Sequence, residues 1–190
     1  MKLRLASLAV ATALLTGCAS SPVRFYTLGA PAIAQNANPL NAATPTVSIN
    51  RIALPDYLDT QDMYLRDDNQ IIRSPNGRWA SRLSQGATDF LAARLGQAWP
   101  HTFVTDQPQA GTADERLTIN ISRLDVSHNG QAALDADWTI IPKDEKRPVL
   151  HNRASFSANG TVATDSDNAR LTQNLLDQLS RQIAASTPAP

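Results

Sequence analysis

Cys18 is the one cysteine in a chain of 190 residues, and it closes the run Leu15-Thr16-Gly17-Cys18. A lone thiol there serves as a site of alkylation, as half of an intermolecular disulfide or as a buried core residue. So close to an apolar leader it has no core around it, which disfavours the last use. His101, His128 and His151 show neither H-E-x-x-H nor an i, i+4 spacing, so no helix face offers two metal ligands. There is no G-x-S-x-G elbow, and the glycines match neither a P-loop nor G-x-G-x-x-G. Paired carboxylates suit acid/base work. Here Asp135 and Asp137 read as the polar face of a strand, while Asp67-Asp68, Asp144-Glu145 and Asp165/Asp167 read as turn chemistry. Asp165-Ser166-Asp167 also lacks the glycine and distal glutamate of a calcium loop. The residues therefore signal no enzyme, no catalytic metal and no cofactor.

The segment ahead of Cys18 has the parts of a secretory signal: basic Lys2 and Arg4, then an apolar stretch from Leu5 to Leu15. That stretch is too short to span a bilayer as a helix. Its Leu-Thr-Gly-Cys ending resembles the lipobox of bacterial lipoproteins. The resemblance implies alkylation of the Cys18 thiol by diacylglycerol, cleavage before it and acylation of the new N-terminus by a fatty acid such as palmitate. Ala19 stands where an aspartate would resemble the inner-membrane retention signal of enterobacterial lipoproteins. The expected address is the inner leaflet of the outer membrane, facing the periplasm.

Removal of residues 1–17 leaves 173 of the 190, enough for one domain with its own core. Charge is balanced at 17 basic to 17 acidic residues, and loss of Lys2 and Arg4 leaves 15 basic residues against 17. That balance excludes a nucleic-acid footprint. With only Lys2, Lys143 and Lys146 as lysines, a polybasic lipid patch is excluded too.

Between Cys18 and the first strand-like run, Val23 to Leu28, lie four residues with a reach of about 14 Å. A body of this size has a radius of gyration of about 15 Å. It sits close to its membrane and cannot cross a periplasm, so a partner rooted in the opposite membrane has to come to it. The expected organisation is a signal peptide (1–17), a lipidated tether (18–22), a single domain (23–186) and a disordered tail (187–190). The charge-free, proline-containing segment 29–45 reads as a flexible loop.

Within the domain, apolar residues at every even position from Ala132 to Ile140 specify a strand with one buried face. Ala154, Phe156, Ala158 and Val162 continue the pattern beyond a charged turn from Pro142 to Pro148. Leu117, Ile119 and Ile121 alternate, then the phase slips to Leu124 and Val126, which predicts a bulge near Ser122 and Arg123. His128-Asn129-Gly130 is a hairpin turn signal. Shorter strands are predicted at Val47–Leu54, Met63–Arg66, Gln70–Arg73 and Thr102–Thr105. Apolar stripes predict helices from Ser81 to Trp99 (Leu83, Ala87, Leu91, Leu95, Ala98) and through Leu171, Leu175, Leu179 and Ile183, the latter capped by Ser166 or Asp167. The sum is an α+β fold, a mostly antiparallel sheet covered by two amphipathic helices.

Aromatic residues are few and clustered. Phe25-Tyr26-Thr27-Leu28 opens the body, Pro55-Asp56-Tyr57-Leu58 follows the second strand, and Trp79-Ala80 leads into the first helix. Most suit core packing; Tyr26, Tyr57 and Trp79 equally suit a rim that receives a partner segment. Their order behind a lipobox resembles the PqiC/YmbA family of ABC-type transport auxiliary lipoproteins. The resemblance implies a non-enzymatic outer-membrane lipoprotein and a ring-shaped homo-oligomer. Its implied partner is an inner-membrane-anchored MCE protein (PqiB-like), whose periplasmic assembly conducts lipid between membranes. The alternative is a structural or regulatory lipoprotein with another envelope partner, such as a peptidoglycan synthase.

Overall fold

The computed structural model describes residues 21–29, 40–41, 43–108 and 111–187. The signal peptide, Cys18, most of the 29–45 loop and residues 188–190 of the tail lie outside the described residues. The elements are β1 (Arg24–Tyr26), β2 (Thr46–Ile49), β3 (Asp62–Asp67), β4 (Gln70–Trp79), α1 (Leu83–Ala98), β5 (Phe103–Thr105), β6 (Glu115–Val126), β7 (Gln131–Pro142), β8 (Leu150–Asn159) and α2 (Asp165–Ser186). They form a three-stranded sheet, β1-β4-β3, and a five-stranded sheet, β5-β2-β6-β7-β8. The fold is α+β, and both sheets are mixed: β1 runs parallel to β4, and β2 parallel to β5 and β6.

The long meander β6-β7-β8 is antiparallel throughout. Ala132, Leu134, Ala136, Trp138 and Ile140 of β7 are all buried, as period-two alternation requires. The β6–β7 register shifts between Ile121 and Arg123, which returns Leu124 and Val126 to the core face. In the turn that follows, Gly130 takes a φ of 85°, and the Ser127 amide donates to the Gln131 carbonyl at 2.8 Å. α2 lies on the inner face of this meander and buries Leu171, Leu175, Leu176, Leu179 and Ile183; α1 packs beside it.

Several boundaries differ from the sequence expectation for local reasons. β2 stops at Ile49 because the chain detours until Ala53 rejoins β6 opposite Asn120, the Ile52 amide meanwhile donating to Thr88 Oγ1 at 3.0 Å. β4 runs on past Arg73 to Trp79, because residues 74–77 bulge opposite Met63 and the strand then pairs with β1. Trp79 therefore ends a strand instead of opening a helix. Ala98 is exposed, and Trp99, just past the end of α1, is buried in its place. Val162 lies beyond β8, though it still packs against the core.

The cap of α2 is Thr164, not Ser166 or Asp167. Its hydroxyl accepts from the Asp167 amide at 3.3 Å, and the Asp167 carboxylate accepts from the Thr164 amide at 2.9 Å, a reciprocal capping box. The Thr164 hydroxyl, backbone amides and Arg170 hold the Asp167 carboxyl below its ordinary pKa. A lowered folded-state pKa contributes stability that is complete above the unfolded value and is lost as pH falls through the folded one. Asp167→Ala is therefore expected to lower the thermal midpoint at pH 7. The deficit should shrink below about pH 4, as thermal scans across pH would show.

Candidate docking surface

The fold scatters the residues that could do chemistry. His101 follows α1, His128 sits in the β6–β7 turn, and His151 on β8 lies 3.0 Å from the Thr139 hydroxyl. Asp137 accepts from Asn120 Nδ2 at 3.1 Å, and Asp135 faces Arg123 at 4.0 Å, so both belong to the polar outer face of the sheet. Among the described residues no group of three or more His, Cys, Asp or Glu side chains is placed to hold a metal ion.

Two of the three aromatic landmarks meet. Parallel pairing puts Tyr26 of β1 directly beside Trp79 of β4, and the Ala80 amide closes the pair by donating to the Tyr26 carbonyl at 2.8 Å. Trp79 is buried and Tyr26 half-buried. With Leu28, Leu83 and Phe90 they line an open hollow of about 360 Å³ at the ends of β1 and β4. Asp89 sits on its rim, its carboxyl pushed above the ordinary pKa first by lost hydration and further by Asp106.

Tyr57 is elsewhere. The Leu58 amide donates to the Pro55 carbonyl at 2.8 Å, a turn that buries Leu58 and leaves Tyr57 exposed. The Tyr57 hydroxyl accepts from Arg66 at 3.3 Å. Arg66 is itself fixed by buried Asp125 at 2.8 Å, which raises the guanidinium pKa further and keeps the charge in place. Arg123 reaches the same carboxylate at 2.9 Å. Tyr57 thus belongs to a charged cluster at the end of β3, not to a rim shared with Tyr26.

The sequence gives no sign of the second part of the groove. Beyond Leu28 and Phe90 the hollow continues into a polar cleft of about 570 Å³ between the helices, lined by Arg94, Arg170, Asp177 and Arg181. Arg94 spans the helices to Asp177 at 2.9 Å, with Arg181 3.4 Å from the same carboxylate. The Arg94 guanidinium also stacks 5.3 Å from the centre of the Phe90 ring. Gln173 Nε2 donates to the Leu28 carbonyl at 2.7 Å and ties α2 to the chain leaving β1. These residues are neighbours only after helix packing, so no linear spacing reveals them. The continuous groove is apolar at one end and arginine-rich at the other. It suits a peptide segment with apolar side chains followed by a carboxylate.

Comparison with known proteins bears on the fold and the family. A solved structure described as an uncharacterized protein superposes with a TM-score of 0.72 at 19% identity, over 87% of this chain and 99% of its own. A Xanthomonas campestris protein superposes at 0.60 with 12% identity, over 76% of this chain and 86% of its own. At these identities the likeness concerns the fold alone. A search of curated sequences finds no match. The family model described as "ABC-type transport auxiliary lipoprotein component" matches residues 26–184. Spanned by that model over nearly the whole folded body, this chain belongs to the ABC-type transport auxiliary lipoprotein family, of the PqiC/YmbA type.

Proposed function

We propose that this protein is the outer-membrane docking subunit of an MCE-type intermembrane lipid transport system. The family is one of transport auxiliaries, not of enzymes, and its lipoprotein character implies a membrane-anchored envelope protein. In this reading Cys18 carries the lipid on the inner leaflet of the outer membrane, and the body faces the periplasm. The occupant of the groove is a segment of the inner-membrane-anchored MCE protein (PqiB-like), and copies of the chain assemble as a ring around the end of its conduit. Membership of a transport auxiliary family over residues 26–184 is the observation that carries the proposal. The groove adds a binding surface of the right kind, since an aromatic-lined hollow beside arginines has the composition of protein-interface anchors.

Capture of the periplasmic part of the cognate MCE protein by the lipoprotein tests this. Wild type binds, and Tyr26→Ala combined with Arg94→Glu weakens capture by roughly tenfold or more while leaving the circular dichroism unchanged. Absence of wild-type binding overturns the proposal. Recovery of a peptidoglycan synthase from crosslinked envelopes, without any MCE protein, would favour the structural or regulatory alternative.

A further inference from the structure

Exposed apolar side chains gather on the smaller sheet and the chain that enters it. Val23 and Phe25 are 50% and 66% exposed, and Ile71 and Ile72 of β4 are 37% and 38% exposed. Adjacent residues on a strand point to opposite faces. Both isoleucines are exposed on a hairpin whose contacts here are at its edges: β1 pairs with β4 only from Gly77 to Trp79, and β3 meets the β6–β7 turn through the Arg66–Ser127 bridge.

The direction of β1 gives this ribbon a location. Because β1 runs parallel to β4, the chain upstream of Arg24 enters from the side of the β3–β4 turn. Six residue steps separate Cys18 from Arg24, a reach of at most about 20 Å. Six steps also separate Ile71 from Gly77, the β4 partner of Arg24, again at most about 20 Å. An anchor at Cys18 can therefore reach the level of Ile71 and Ile72. The tip carries Asp67 and Asp68, while nearby Arg66 is committed to Asp125 and Arg73 lies 3.6 Å from Asp62. Arg66 and Arg123 share Asp125, and Arg73 and Arg78 share Asp62, so the charge around the tip is mixed, which suits the paired charges of a zwitterionic headgroup.

We propose that the tip of the β3–β4 hairpin, through Ile71 and Ile72, seats in the zwitterionic phospholipid surface that holds the acyl anchor. The body then stands on that surface at two points, with the groove at the far ends of β1 and β4. This inference rests on the reading of Cys18 as lipidated.

The test uses the full lipidated protein reconstituted in phosphatidylethanolamine–phosphatidylcholine vesicles. Environment-sensitive labels are placed by Ile71→Cys, separately by Asn69→Cys in the turn, and by Ser155→Cys on the exposed face of β8. Lipid-borne quenchers should dim the labels at 71 and 69 at least twofold and leave that at 155 unchanged. Flotation of the same samples reports the anchor. Protein that does not float overturns both the anchor and the hairpin contact. Protein that floats with labels unquenched by lipid overturns the hairpin contact alone. If those labels are then shielded from aqueous iodide, a second copy of the chain covers the tip instead.

Discussion

Gly130→Ala will lower the thermal midpoint by about 4 to 20 °C. A Cβ at this position would lie 2.0 Å from the Gly160 carbonyl oxygen, a backbone atom that cannot rotate away. Gly160 is held there in turn, because its amide donates to the Gly130 carbonyl at 2.9 Å. The φ of 85° adds a second cost, since an L side chain in that region is strained by roughly 1 to 2 kcal/mol. Overpacking a fixed contact adds about 1 to 3 kcal/mol. The total of about 2 to 5 kcal/mol converts to the stated shift at about 2 to 4 °C per kcal/mol for a domain of this size. Gly111→Ala is the control, because a Cβ there meets nothing within 4 Å. Thermal unfolding of the two variants should separate them clearly, and equal midpoints would contradict the close β6–β7 turn and β8 packing.

Cys18→Ser, placed behind a leader whose cleavage needs no lipidation, will release most of the protein from the membrane. Each buried acyl CH₂ contributes about 0.8 kcal/mol, and two or more chains make attachment effectively permanent, so their loss removes most of the membrane affinity. Among the described residues no helix is long and apolar enough to cross a membrane. Fractionation reads the outcome, and mass spectrometry of the wild type should find diacylglycerol and a fatty acid on an N-terminal Cys18. Retention of Cys18→Ser in washed membranes would mean that something other than the acyl chains holds the protein.

The long elements were legible in the sequence because their burial is periodic. The alternation in β7 reports one buried face directly, and the phase slip in β6 locates the bulge. Asn129-Gly130 fixes the turn, because few other residues accept its backbone. The short parallel strands were a different case. β1, β2 and β5 read as strands from their residues, but their parallel pairing does not, because their partners are distant in sequence. The extension of β4 to Trp79 has the same origin: what carries the strand that far is pairing with β1, far upstream, not its neighbours. Of the candidate interface residues, Tyr26 and Trp79 come together, and Tyr57 does not. Arg94, Asp177 and Arg181 carry no signal in the sequence, because charges on two separate helices look like solvated surface until the helices pack.

The most direct test of the account is bridging between two membranes. Vesicles carrying the full lipidated protein are mixed with vesicles carrying the intact MCE protein, and their association is followed by energy transfer between lipid dyes. The account predicts association that requires both proteins, is abolished by Cys18→Ser and is weakened by Tyr26→Ala with Arg94→Glu. Association that persists without the anchor, or none when both intact proteins are present, would contradict it.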